Sequence, residues 1–143
     1  MKVQQISIFL ENLAGRLDTV ARLIGQNQIN IRALSLADTA DFGILRLIVD
    51  KPKRAADVLR YYNFTLALTD VVAVEVPDVP GGLAKVLDVL TARKINVEYM
   101  YAFVEKAGDR AALVFRFDNP DSAIAALQDG QVRLLSSDQI VQL

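Results

Sequence analysis

The chain has 143 residues, 52% of them hydrophobic, and its 16 basic and 17 acidic residues leave a formal net charge of −1. It contains neither cysteine nor histidine, which excludes disulfides, thiolate and imidazole catalysis, and zinc sites of the usual ligand types. Because no segment concentrates lysine and arginine or forms a long apolar run, we expect no nucleic-acid partner, no membrane association and a cytoplasmic location.

The second half of the chain repeats the first half. At a shift of 66 residues Gly15 coincides with Gly81, and the segment Ile-Asn-Ile at 29–31 coincides with Ile-Asn-Val at 95–97. After a short insertion the shift becomes 68, which brings the segment around Pro52 onto that around Pro120. Self-similarity over nearly the whole chain indicates one structural unit used twice. We predict one module at residues 1–69 and a second at residues 70–143.

Each copy is predicted to contain four strands and two helices, because apolar residues alternate in the strands and recur every three or four positions in the helices. For the first copy the patterns predict, in chain order, a strand at 6–10, a helix at 17–24, strands at 31–37 and 44–49 joined through 41–43, a helix from Pro52 and a strand at 65–68. For the second copy they predict a strand at 72–76, a helix at 83–90, strands at 97–104 and 112–117 joined through 107–109, a helix from Pro120 and a strand at 132–135.

The order βαββαβ is typical of an antiparallel four-stranded sheet with both helices on one face. The fold class is therefore α+β, with two tandem ferredoxin-like modules. In the third strand Ile44 and Ile48 alternate with Leu45, Leu47 and Val49, so the face opposite the helices is apolar too. Together with the high apolar fraction, this predicts a homo-oligomer, most simply a dimer.

The loop before the first helix of each copy carries the most specific motif. Residues 11–17 read Glu-Asn-Leu-Ala-Gly-Arg-Leu, residues 77–83 read Pro-Asp-Val-Pro-Gly-Gly-Leu, and each copy then has Ile-Asn-Ile/Val at its second strand. This combination resembles the ACT domain family, in which a D/N-x-P-G-x-L turn precedes an I-N-V/I strand start. The second copy keeps the proline of the turn as Pro80, whereas the first has Ala14. The resemblance implies a non-catalytic module that binds a free amino acid or similar small ligand at a junction between modules and signals to an enzyme or other partner.

The same loops suit a ligand carboxylate on physical grounds. A helix N-terminus offers unpaired backbone amides and a partial positive charge, and glycine lets a ligand approach the backbone closely. An asparagine side chain offers both donors and an acceptor to an ammonium or carboxylate group. The predicted ligand-binding residues are Asn12, Leu13, Ala14, Gly15 and Asn30 in the first copy, and Asp78, Val79, Pro80, Gly81, Gly82, Leu83 and Asn96 in the second. We predict no catalytic residue, no metal and no cofactor.

Each of these residues also has a purely structural interpretation. The glycines are common turn residues, and Asn12 and Asp78 are residue types that cap helices. Asn30 and Asn96 can adopt left-handed or turn geometry between a helix and a strand.

Other functions fit the sequence less well. Acidic, basic and tyrosine side chains are available for catalysis, but no spacing gathers them. An RNA-recognition module uses aromatic residues on its sheet, and Phe115 and Phe117 are aromatic residues of a predicted third strand. The basic surface that such a module needs is missing. The main alternative is an interaction module that binds no ligand and assembles through its sheets.

Overall fold

A computed structural model describes residues 1–38, 41–105 and 108–143 of the chain. Its contacts divide the chain into two compact units: residues 4–69, and residues 70–143 together with 1–3. We refer to them as the first and the second module. Each has the βαββαβ order on an antiparallel sheet, which confirms the predicted α+β fold class of paired ferredoxin-like modules.

The helices and strands follow the predicted order with small changes in their ends. The elements are β1 (Val3–Glu11), α1 (Arg16–Gln26), β2 (Ile31–Asp38), β3 (Phe42–Val49), α2 (Pro52–Tyr61), β4 (Thr65–Pro77), α3 (Gly82–Ala92), β5 (Val97–Ala102), β6 (Arg110–Phe117), α4 (Pro120–Asp129), β7 (Arg133–Leu135) and α5 (Ser137–Val141). None of the helices in the described part of the chain has the length and apolar character needed to cross a bilayer.

Two features of the structure differ from the sequence-based expectation. The predicted strands at 65–68 and 72–76 are one continuous strand, β4, because no glycine or proline interrupts the chain before Pro77. Helix α5 was not predicted, although Ser136 and Gln139 form the reciprocal capping box that starts it. The predicted hairpin at 107–109 falls partly on Ala107, which lies outside the described residues.

The two sheets have equivalent pairings. In the first module β3 lies between β1 and β2, and β1 is also hydrogen-bonded to β4. In the second module β6 lies between β4 and β5, and β4 also pairs with β7. In both modules the loop after the first strand therefore lies at one end of the sheet, where the first helix begins.

The cores that face the helices occupy equivalent positions in the two modules. Three valines of β4 replace the larger aliphatic residues of β1, whereas Phe115 and Phe117 of β6 replace Leu47 and Val49 of β3. The two phenylalanine rings stack with their centroids 5.7 Å apart. The volume lost on one strand is thus regained on the adjacent strand, and both cores remain filled.

The opposite faces of the two sheets differ in character. In the first module Phe9 and Phe42 are 49% and 56% exposed. By strand register, the equivalent residues of the second module are Glu75 and Arg110, and Glu75 is only 5% exposed. One sheet therefore exposes two aromatic side chains where the other buries a carboxylate.

Candidate functional site

Both predicted loops end in a glycine with left-handed backbone geometry. Gly15 has φ 88° and ψ −10° at the N-cap of α1, and Gly81 has φ 83° and ψ −2° at the N-cap of α3. Residues with a side chain rarely adopt this conformation. The turn itself therefore requires both glycines, whether or not a ligand binds there.

Each turn leaves two backbone amides of the following helix without a protein acceptor. In α1 these are the amides of Leu17 and Asp18, and in α3 those of Leu83 and Ala84, counted among the residues that the structure describes. Because both N-cap residues are glycine, no N-cap side chain accepts from them. Unpaired amides at the positive end of a helix favour a carboxylate, so both loops have the chemistry of an anion site.

Asn12 and Asp78 do not occupy the helix caps. The N-cap positions belong to Gly15 and Gly81, so the interpretation of Asn12 and Asp78 as N-cap residues is wrong. The two residues lie three positions earlier, in the exposed part of each loop. Their predicted role toward a ligand stays a prediction.

The second loop is more tightly packed than the first at the position after the glycine. A Cβ atom on Gly82 would lie 2.2 Å from the carbonyl oxygen of Pro77, which no side chain tolerates. The first module has Arg16 at the equivalent position. Gly82 is thus required by the packing of its own loop, and the two turns share a conformation without sharing this residue.

A pocket of about 460 Å³ lies beside the first loop. It is lined by Glu11, Asn12, Leu13, Asp41 and Phe42. The backbone N–H of Asn12 donates to the carbonyl of Asp41 at 3.1 Å, so the loop is held against the chain that leads into β3. Two of these five residues, Asn12 and Leu13, are among the predicted site residues.

A positively charged side chain, that of Arg16, lies at the start of α1. Arg16 is the first residue of the helix, and its guanidinium carbon lies 4.8 Å from the centroid of the Phe64 ring. Arg16 also lines a smaller cavity of about 90 Å³ together with Asn12 and Leu13. A guanidinium beside unpaired amides strengthens the attraction for a carboxylate. Sequence reasoning missed Arg16 because the second turn has glycine at this position.

Asn30 and Asn96 are exposed residues just before β2 and β5. The interpretation that they adopt left-handed geometry is wrong, because the positive φ angles of these turns belong to Gln28, at 60°, and Lys94, at 57°. The backbone N–H of Asn30 donates to the Asp50 carboxylate at 2.9 Å. Within the described part of the chain, the side-chain amide of Asn30 has no partner. It is therefore available to a ligand.

Within one module the loop and the asparagine are far apart. The loop precedes α1 and Asn30 follows it, and a helix of 11 residues is roughly 16 Å long. The remaining predicted residues, from Asn12 to Gly15 and from Asp78 to Leu83, each cluster in their own loop. A single small zwitterion therefore cannot contact both the loop and the asparagine of the same module.

A family model described as ACT domain pair matches residues 1–143 of the chain. A crystal structure of protein BT0572 from Bacteroides thetaiotaomicron is 43% identical, with a TM-score of 0.94 over 100% of this chain and 98% of that one. The ligand-free regulatory subunit of aspartate kinase from Thermus thermophilus is 15% identical, with a TM-score of 0.64 over 89% of this chain and 91% of that one. The regulatory subunit of aspartate kinase from Thermus flavus is 13% identical, with a TM-score of 0.60 over 90% and 92%. No curated protein matches the sequence. These matches confirm the resemblance found in the sequence.

Proposed function

The chain belongs to the ACT domain family as a pair of ACT domains over residues 1–143, and from this premise we propose a regulatory protein without catalytic activity. It binds a free amino acid at a junction between ACT modules and passes the signal to an enzyme or another partner. In this proposal residues 1–69 supply one ACT domain and residues 70–143 supply the other.

The observation that carries this proposal is the matched pair of turns. Gly15 and Gly81 have nearly the same φ, and each turn leaves two helix amides without an acceptor among the described residues. A ligand carboxylate satisfies such amides, since free donors and the helix dipole act in the same direction. In the first module the charge of Arg16 adds to this attraction.

The ammonium group of the ligand is assigned to Asn30 or Asn96. The carboxylate and ammonium groups of an amino acid are only a few bonds apart, whereas the loop and the asparagine of one module are separated by the length of a helix. We therefore propose that the loop of one module acts together with the asparagine of another module, in the same chain or in a second chain. Binding then favours the arrangement that brings the two together.

Titration with each of the twenty proteinogenic amino acids tests the proposal, with thermal unfolding as the first measurement and calorimetry as the second. A bound amino acid at 100 times its dissociation constant is expected to raise the free energy of unfolding by about 2.7 kcal/mol. Asn30→Ala and Asn96→Ala are expected to weaken binding about tenfold. Asn30→Ala keeps the backbone bond to Asp50, so the fold is preserved.

Gln26→Ala is the matched control, because it removes another exposed side-chain amide near the end of α1. It is expected to leave the affinity unchanged. If no amino acid produces heat or a thermal shift, the proposed sensor function is wrong. The alternative, an interaction module that binds no ligand, is then favoured. If the control weakens binding as much as Asn30→Ala, the assignment of the ammonium group is wrong.

A homodimer is the second part of the proposal. Leu17 of α1 and both Leu34 and Leu36 of β2 are exposed, and β2 pairs with β3 alone among the described strands. An edge strand beside exposed leucines is a surface that soluble proteins usually cover. Sedimentation velocity is expected to give a dimer for the natural chain and a monomer for Leu36→Glu. Tyr61→Glu, a change at another exposed residue, is expected to leave the dimer intact, and a monomeric natural chain contradicts the proposal.

A further inference from the structure

The second module contains a pocket that is not lined by the loop at Gly15 or by the loop at Gly81. Its volume is about 460 Å³, and its walls come from β4, β7 and the segment that contains α5. The residues that line it include Glu75, Arg133, Leu135, Asp138, Gln139 and Gln142.

Glu75 carries a buried charge at the base of this pocket. Its Oε1 lies 2.8 Å from Nε of Arg110 and its Oε2 lies 3.1 Å from Nε of Arg133, while its side chain is 5% exposed. Burying such a cluster costs solvation energy that the ion pairs only partly return, so it is weak evidence for stability. The first module builds the same strand with Phe9 at the equivalent position. The fold therefore does not need this carboxylate, and a binding role accounts for it better.

The wall that α5 contributes to the pocket is also specific to the second module. Helix α5 has no counterpart among the described residues of the first module, and its Ile140 is buried. The capping box fixes Gln139, because the backbone N–H of Ser136 donates to Gln139 Oε1 at 2.8 Å. The NH₂ group of the same side chain keeps its two donors. The pocket thus has a polar donor that is held in place before any ligand arrives.

The charges around the pocket match a molecule that carries both signs. Arg133 contacts Glu75 through Nε, which leaves its two terminal nitrogens to pair with a carboxylate. Asp138 has no ion pair in the described ranges 1–38, 41–105 and 108–143 and is available to an ammonium group. The side chains of Arg110, Arg133, Glu75 and Asp138 together carry no net charge, so a neutral zwitterion is a better match to them than a bare anion or cation.

We propose that this pocket is a second ligand site, which binds a small zwitterion of the amino-acid type. The ligand carboxylate pairs with Arg133 and the Gln139 amide, its ammonium group pairs with Asp138, and Leu135 contacts its carbon chain. This site is independent of the loops at Gly15 and Gly81, so an amino acid can occupy it whether or not the loops bind one.

Two-dimensional ¹H–¹⁵N NMR of the whole labelled chain tests the site, with each proteinogenic amino acid as probe. The side-chain NH₂ signals of Gln139 and Gln142 report on the pocket, and the backbone amides of Leu17 and Leu83 report on the loops. At least one amino acid is expected to shift the glutamine signals in a saturable way. Acetate and ethylamine, which each carry one of the two charges, are expected to bind at least about tenfold more weakly.

Variants of the two charged residues refine the test. Arg133→Gln and Asp138→Asn are each expected to weaken the response of the glutamine signals by about tenfold to a hundredfold. The chain still folds, because Glu75 remains paired with Arg110. Arg93→Gln is the matched control: Arg93 is also an exposed arginine with an ion pair, at 2.7 Å from Asp129, and does not line the pocket. It is expected to leave the response unchanged.

The outcomes separate this site from the one at the loops. If an amino acid shifts only the loop amides, the proposed pocket site is wrong and the proposed loop site is supported. If it shifts only the glutamine signals, the pocket site is supported and the result counts against the loop site. The proposed pocket site is also wrong if Arg133→Gln leaves the affinity unchanged, or if Arg93→Gln lowers the affinity by the same amount.

Discussion

The two modules are alike on the sheet face that packs against the helices and differ on the opposite sheet face. Their cores use equivalent positions, whereas Phe9 and Phe42 of one sheet become Glu75 and Arg110 in the other. A position that the fold needs keeps its character in both copies. A position that changes from an exposed aromatic residue to a buried charge is free of that constraint, and such positions are where a binding role is best sought.

The two turns make the same comparison at smaller scale. Gly15 and Gly81 keep the left-handed geometry that starts each helix, but the next residue is Arg16 in one and Gly82 in the other. The first turn therefore has a guanidinium group directly after its glycine, and the second turn has no side chain at that position. The following changes test how far the modules are equivalent.

The largest effect is expected in the cores. Leu59→Ala and Leu127→Ala remove equivalent, fully buried side chains, and each is expected to lower the free energy of unfolding by about 2–5 kcal/mol. Urea denaturation measures the loss, and hydrogen exchange should place the lost protection in the module that carries the change. Tyr61→Ala, at an exposed residue outside the proposed dimer surface, is expected to have little effect. A tolerated Leu127→Ala would show that the second core is not equivalent to the first.

The position after the turn glycine is expected to separate the modules. Gly82→Ala forces a Cβ against the Pro77 carbonyl oxygen and should cost about 1–3 kcal/mol. Arg16→Ala introduces no clash and loses the contact with the Phe64 ring, which contributes about 0.5–1 kcal/mol. Thermal unfolding of the two variants gives the difference, and equal losses would contradict the tighter packing of the second loop.

The turn glycines themselves are expected to behave alike. Gly15→Ala and Gly81→Ala meet no atom within 4 Å, so only backbone strain acts, at about 1–2 kcal/mol in each case. Chemical denaturation measures both. A much larger loss in one module would mean that its loop is held by contacts absent from the other.

The smallest effect is a gain in stability. Gln28 and Lys94 hold positive φ angles, which favour glycine, so Gln28→Gly and Lys94→Gly are expected to stabilise the chain by up to about 1 kcal/mol. Lys85→Gly, within α3, is the control and should destabilise by about 1 kcal/mol. Thermal unfolding distinguishes a gain in stability from a loss. A loss of stability with Lys94→Gly would contradict the inference that the backbone at Lys94 is strained.

Local patterns in the sequence predicted most of the fold, because alternation and helical spacing are properties of neighbouring residues. They did not predict that β4 runs unbroken from Thr65 to Pro77, since a continuous strand and two adjoining strands give the same pattern. The capping box at Ser136 is readable in the sequence, but the helix that follows is too short to show a period.

The candidate sites were predictable only in part. The family turn pointed to Gly15 and Gly81, yet the left-handed residues of the later turns proved to be Gln28 and Lys94 instead of the asparagines. The pocket at Glu75 could not be predicted, because Arg110 and Arg133 reach it from distant parts of the chain through strand pairing.

The exchange of side-chain volume between adjacent strands restricts how the two copies can be recombined. Grafting the three valines of β4 onto β1 alone would leave empty space beneath the first helix pair, since Leu47 and Val49 are too small to fill it. A chimaera that also receives the two phenylalanines of β6 at those positions restores the total volume. Strands of this protein are therefore interchangeable as complementary pairs and incompatible one at a time.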